Sequence, residues 1–180
     1  EAPETPATAT DHWLFGRVIA AWEGNAADPE VRFKGSSGGV ITALVAYQIE
    51  TTQGRAQVAA MSQNQPTRTV SVRISTREEA LASAGSRYAP VSIAGVPLDA
   101  ADVVTGKPCE VAAIRQRAAV EETEAPLLIS FFCAGTPSQH ATDDLVEKLG
   151  VKVEAVDELR YRGNGWPGDF VVTSVSGVEG

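Results

Sequence analysis

The chain has 180 residues, 43% of them hydrophobic and 21% charged, with a formal net charge of −8. These values describe one globular domain with a sizeable core, or a piece of a larger one. Its basic residues are scattered, apart from Arg160 and Arg162, so nothing offers a groove for nucleic-acid phosphates. No apolar run reaches the roughly 18 to 20 residues of a membrane span.

Residues 1–11, rich in Pro, Thr, Ala and Glu, predict a disordered tail or linker ahead of a domain over 12–180. The chain opens on Glu1 with no visible signal peptide, so we expect an upstream part to be missing. The elements then alternate. Residues 16–24 read as a strand, 39–52 as a helix, and 56–62 and 69–75 as strands. A short helix follows, with Thr76 and Glu79 forming a capping box and Gly85 as its stop. Residues 102–106 predict a strand, and 107–122 a helix with Pro108 in its first turn. The continuous apolar run 126–133 predicts a strand buried on both faces. A helix over 138–150, capped by Ser138, precedes two final strands beginning at Glu158 and Asp169. This order predicts an α/β fold with a mostly parallel or mixed central sheet flanked by helices.

In such sheets ligands bind beyond the carboxyl ends of strands. Four unusual stretches fall at such places: "GSSGG", "GSRYAP", "TGKPCE" and "FFCAGTPS". In the first, glycines let backbone N–H groups approach a ligand, and the following helix offers its positive end, the physics of a phosphate cradle. Gly35-Ser36-Ser37-Gly38-Gly39 also fits G-x-S-x-G, which makes Ser37 a hydrolase nucleophile candidate with His12 or His140 as base. That reading needs a buried strand immediately before it, and "DPEVRFK" is a poor strand. Cys109 opens a helix, where the dipole favours thiolate, and Cys133 ends a strand. The two are either small buried hydrophobes or thiolates for redox or metal chemistry; neither lies in a C-x-x-C unit, and a reducing, cytoplasmic setting is expected. "RYRGNGWPGDF" brings Trp166 near two guanidinium groups, a combination suited to a planar anionic ligand.

In this order, "GSSGGVITAL", "AGSRYAP", "GKPCEVAAIR", "FFCAGTPS" and "RYRGNGWPG" resemble the successive motifs of the beta-subunit family of coenzyme F420 hydrogenases and dehydrogenases. That family includes a formate dehydrogenase subunit and hydroxymethyl chlorophyll a reductase. The resemblance implies a flavoprotein subunit that passes electrons between [4Fe-4S] clusters, FAD and a hydride acceptor such as coenzyme F420, with other redox subunits or a ferredoxin-like domain as partners. It implies that Ser36, Ser37, Gly38 and Gly39 hold the flavin or its phosphates, assisted by Lys34 and Thr42. Ser86, Arg87, Tyr88, Lys107 and Pro108 would line the same pocket, with Lys107 the catalytic candidate. Cys109 and Cys133 fall on the family's cysteine motifs and would be iron–sulfur ligands. The family's cysteine-rich segment beyond "GWPG" and its ferredoxin-like segment upstream are not in these residues. The resemblance therefore implies a fragment, truncated on the C-terminal side, with an incomplete ligand set. A cofactor-free scaffold of the same fold is the non-enzyme alternative.

Overall fold

The computed structural model describes residues 7–174. It opens with a small hairpin, β1 (Thr10–His12) antiparallel to β2 (Gly16–Val18). Thr10 and Asp11, assigned from sequence to the tail, therefore pair with Val18 and Arg17, and the strand expected over 16–24 is only three residues long. The poor strand at 28–34 is a short helix, α1 (Pro29–Lys34). Asp28 caps it by accepting from the Glu30 and Val31 N–H groups, and Pro29 takes the first-turn position where its missing donor costs nothing.

The remaining elements are α2 (Val40–Thr52), β3 (Ala56–Met61), β4 (Thr69–Ile74), α3 (Arg77–Ala82), β5 (Val103–Gly106), α4 (Pro108–Val120), β6 (Leu127–Ser130), α5 (Gln139–Lys148), β7 (Val156–Arg160) and β8 (Val171–Ser174). The Thr76–Glu79 capping box is present at α3, and Pro108 opens α4. Ser138 precedes α5 without a side-chain cap bond. The expected last strand extends beyond Ser174, outside the described residues.

The central sheet is mixed, in the order β4-β3-β5-β6, with β4 antiparallel to β3 and both β3–β5 and β5–β6 parallel. Strand alternation puts neighbouring side chains on opposite faces. Val103 joins Val45, Ala46 and Ile49 of α2, while Val104 joins Ile93 and Ile114 of α4. Both valines are fully buried, each worth about 1.5–3 kcal/mol in apolar burial. A further cluster packs Val146 of α5 against Val156, Leu159, Tyr161 and Val172 of the β7–β8 hairpin.

One expectation is corrected. The apolar run at 126–133 is not buried on both faces. It yields β6, which pairs with β5 alone and forms the sheet edge. Within that strand only Leu128 and Ile129 are partly buried, and residues 130–138 are exposed. The run is apolar, but its position in the sheet depends on pairing that no local pattern encodes.

At the opposite, amino end of β5, Asp102 is 2% exposed and lies 3.3 Å from Arg55 Nε and 3.5 Å from Arg73. It also accepts the Asp99 N–H at 3.0 Å. Asp102→Ala leaves that N–H without its acceptor and removes one carboxylate from each guanidinium, Arg55 keeping Asp99 and Arg73 keeping Pro97 O. Because both arginines reach solvent, the expected loss is about 1–3 kcal/mol, below that of a fully buried pair. Urea unfolding followed by circular dichroism checks it; an unchanged midpoint would show that this end of the sheet does not depend on the carboxylate.

Candidate functional site

After α1 the chain turns through Gly35–Gly39 before α2 begins. The Gly35 N–H donates to Val31 O at 2.9 Å, closing the helix, and Ser37, Gly38 and Gly39 are all left-handed. At Gly39 glycine is required: with φ at +71°, a Cβ would lie 2.5 Å from Val31 O. Ser37 is exposed and Ser36 half-buried. Ser36 Oγ lies 2.7 Å from Ser86 Oγ, which ties this loop to the turn after α3. Thr42 is partly buried in the first turn of α2.

A third segment, 162–168, closes on the first. Gly163, at φ +111°, approaches the Lys34 backbone so closely that a Cβ would sit 2.5 Å from Lys34 O. The Gly165 N–H donates to Phe33 O at 3.0 Å. The end of α1, the turn after α3 and the chain from β7 to Asn164 enclose a cleft of about 250 Å³ whose lining includes Lys34, Ser86, Arg87, Arg160 and Arg162, with Met61 from the carboxyl end of β3; the Gly35–Gly39 turn lies beside it. The motifs "KGSSGG", "GSRYAP" and "RYRGNG" are thus brought side by side, the first through Lys34 in the lining and the Ser36–Ser86 contact beside it.

Arg87 has a structural task there. Its guanidinium donates to Thr69 Oγ1, Leu159 O, Pro66 O and Arg68 O at 2.9–3.2 Å, and stacks over Tyr161 at 5.0 Å. Four of its five N–H donors are therefore spent on the walls of the cleft. Burial, without a carboxylate to offset it, pushes its pKa down. Tyr88 behaves differently. The Arg162 guanidinium, foremost, and the Ser86 hydroxyl hold its phenol below the ordinary tyrosine range, against the opposing effect of partial burial. Trp166 is 81% exposed and Arg162 Nε donates to Pro167 O at 3.0 Å. Arg160, Arg162 and Asn164 complete the lining. The sequence signal for the two arginines was the R-Y-R group, in which Arg160 ends β7 and Arg162 lies in the loop beyond it.

A second group lies farther along the same edge. β5 and β6 are parallel with Gly106 opposite Ser130, and Cys109 and Cys133 each follow that registered pair by three residues. Both thiols are free and exposed, which removes the reading of them as buried hydrophobes. Lys107 is half-buried, its ammonium 2.9 Å from Glu110, whose carboxylate also accepts the Lys107 N–H at 2.8 Å. Pro108 is exposed. Among the described residues no three His, Cys, Asp or Glu side chains gather as a metal site. The hydrolase geometry is not formed either. A helix, not a strand, precedes Ser37, and His12 Nδ1 accepts the Leu14 and Phe15 N–H groups within its own hairpin. His140 is an exposed residue of α5.

Two family models of the coenzyme F420 hydrogenase/dehydrogenase beta subunit match in succession, the N-terminal one over residues 21–96 and the C-terminal one over residues 102–180. The chain belongs to this beta-subunit family. Members are subunits of oxidoreductases. A solved structure of the F420-reducing [NiFe] hydrogenase complex from Methanosarcina barkeri contains a chain with the same fold, at TM-score 0.65 and 22% identity. The match covers 86% of this chain and 57% of that one, so the beta-subunit-like domain spans little more than half the length of its structural neighbour. No curated protein matches the sequence. No helix among the described residues is long and apolar enough to cross a membrane.

Two measurements check this geometry. Arg87→Met is expected to destabilise the fold by about 2–4 kcal/mol, because four acceptors lose their donor at once; a loss below about 1 kcal/mol in urea unfolding would show that the latch is dispensable. Tyr88 is expected to titrate below free tyrosine when phenolate absorbance is followed against pH, and Arg162→Gln to move it back up. The sign is that of a depressed acid. The contact adds its full stability only above the ordinary phenol value near 10, and that contribution is lost as pH falls through the lowered one.

Proposed function

We propose that this chain is the flavin-holding part of an oxidoreductase subunit, serving electron transfer between iron–sulfur centres, FAD and a hydride acceptor of the coenzyme F420 type. The observation that carries the reading is the convergence, in a member of this family, of three glycine-bearing segments on one cationic cleft at the carboxyl edge of the sheet. A cleft lined by Lys34, Arg160 and Arg162 fits the phosphate end of a dinucleotide. Ser36, Ser37, Gly38 and Gly39 would bind that end, with Lys34 and Thr42 assisting. Ser86 and Tyr88 would line the pocket, while Arg87 braces its wall rather than touching the ligand. When bound, a flavin takes up two electrons as hydride and releases them singly, which is why it suits a place between clusters and a hydride carrier.

Lys107 and Pro108 stand at the end of β5, next to β3 in the sheet, and Lys107 is the residue we assign to stabilising negative charge on the reduced ring. Glu110 fixes its position and offsets part of its charge. For an iron–sulfur cluster the described residues do not suffice. Cys109 and Cys133 supply two thiolates where a [4Fe-4S] centre takes four ligands, so no step is assigned through one here. The two cysteines would be a half-set, completed by other segments or by partner redox subunits. Free exposed thiols suit a reducing, cytoplasmic setting.

The visible spectrum of the full-length protein, purified anaerobically, is expected to show flavin bands. A colourless protein would favour a cofactor-free scaffold. Lys107→Ala in that holoprotein is expected to slow hydride transfer about tenfold with flavin content retained. The neutralising Glu110 makes the effect smaller than the roughly 10²–10³ of an unpaired preorganised donor. An unchanged rate removes Lys107 from the site.

A further inference from the structure

The central sheet has an open edge at β6. Asp102 O accepts the Leu127 N–H at 3.2 Å, so Leu127 and Ile129 turn their backbone groups toward β5. By alternation Leu128 and Ser130 turn theirs outward. No strand among the described residues pairs with that side. Sheets commonly blunt such an edge with charged side chains, yet residues 125–139 contain no Asp, Glu, Lys or Arg in a chain of net charge −8. Exposed rings stand beside the edge. Phe132 and Trp13 are each 88% exposed, and the Phe15 ring lies 5.3 Å from that of Phe132, joining the β1–β2 hairpin to the end of β6. We infer that this edge is an interface with a second copy of the same chain, β6 pairing antiparallel with its counterpart across a twofold axis.

The strand is self-complementary in one register. Centred on Ile129, the pairing sets Leu128 opposite the partner's Ser130, and both outward N–H groups meet a carbonyl. Centred on Leu128 instead, it would set Ser130 against Pro126, which has no N–H to give. In the Ile129 register Leu127 faces the partner's Phe131, an apolar cross-strand pair, and Glu124 falls opposite the partner's Ala134, so no like charges meet. An uncharged edge offers a charged partner no complement, whereas a twofold copy presents the same backbone row and the same rings. The area suffices as well. A whole aromatic side chain covers roughly 150–250 Å², so Trp13, Phe15, Phe131 and Phe132 leave on the order of 500 Å² exposed on each copy. A pair then offers about 1,000 Å² before the strand backbone is counted, the lower bound of a specific interface.

Sedimentation velocity on the full-length protein tests this. Wild type is expected to be dimeric at about 50 μM, above the micromolar constants of weak interfaces. Ser130→Lys and Phe132→Glu are each expected to weaken the dimer about tenfold or more, the worth of one or two backbone hydrogen bonds. Both positions are exposed, so both variants are expected to keep the wild-type circular dichroism. Ile129→Cys puts a thiol on the axis, with the two Cα atoms about 4.5 Å apart, inside the roughly 4.4–6.8 Å a disulfide spans. Mild oxidation is then expected to give a covalent dimer whose cross-linked peptide maps to position 129 by mass spectrometry. A monomeric wild type overturns the inference, and so does a dimer that neither surface variant weakens and that Ile129→Cys does not lock. A monomer that binds phosphatidylcholine vesicles, and loses that binding in Trp13→Ala, assigns the rings to a lipid surface and overturns it as well. Flavin content enters none of these measurements, so the result stands apart from the redox reading.

Discussion

Arg87 reaches into the molecule from the turn after α3 and donates to carbonyls on two separate parts of the chain, the β3–β4 hairpin and β7. Nothing else described in the cleft joins those parts so directly. β7 belongs to an outlying two-stranded sheet, packed with α5, and hydrogen-bonded by no strand of the central sheet. One guanidinium therefore sets the distance between the body that carries the glycine-serine loop and the hairpin that carries Arg160 and Arg162. The second tie, Gly163 and Gly165 lying on the Phe33–Lys34 backbone, works only because no Cβ intervenes. Between them a donor with four acceptors and a backbone contact with no side chain make three distant segments into one site.

Electrostatics follow from the same arrangement. Arg87 is satisfied by neutral carbonyls, so its charge is held in place but not cancelled, and it adds to the field of Lys34, Arg160 and Arg162. At the rim, Arg162 and then Ser86 hold the Tyr88 phenol below its ordinary range. The rest of the surface carries the acidic excess. A net charge of −8 with cations gathered at this cleft makes the cleft the place on the described surface where the potential favours an anion.

Much of this was legible in the residues. Alternating periodicity gave the α/β class, and local chemistry gave the ends of α3 and α4, because a capping box and a first-turn proline act within four residues of themselves. The glycines of 35–39 were recognisable as a tight turn, which the left-handed backbone at 37–39 bears out. What was not legible depended on distant pairing. An apolar run such as "PLLISFFC" reads the same at the edge of a sheet and in its centre. The Asp28-Pro29-Glu30 start of α1 carried a usable signal, a cap followed by a first-turn proline, which the charge of the segment obscured. Arg87 read as a ligand residue because an arginine in a turn can serve either purpose, and its bonds to Pro66, Arg68 and Leu159 depend on distant segments that no local pattern encodes.

The strand order connects the two halves of the site. β3 ends at Met61 in the wall of the cationic cleft, and its parallel neighbour β5 ends at Gly106, just before Lys107 and Cys109. β6, parallel again, ends before Cys133. Parallel strands connected by helices must all deliver their outgoing loops to the same edge, so cations, a half-buried lysine and two thiols line up along it in the order the sheet imposes. A ligand anchored by its phosphate at β3 would extend along that edge toward β5 and β6, because the cleft is too small to hold more than the charged end. The cationic cleft and the Lys107–Cys109–Cys133 group are thus separated by strand spacing, and their order along the edge follows from the register of three parallel strands.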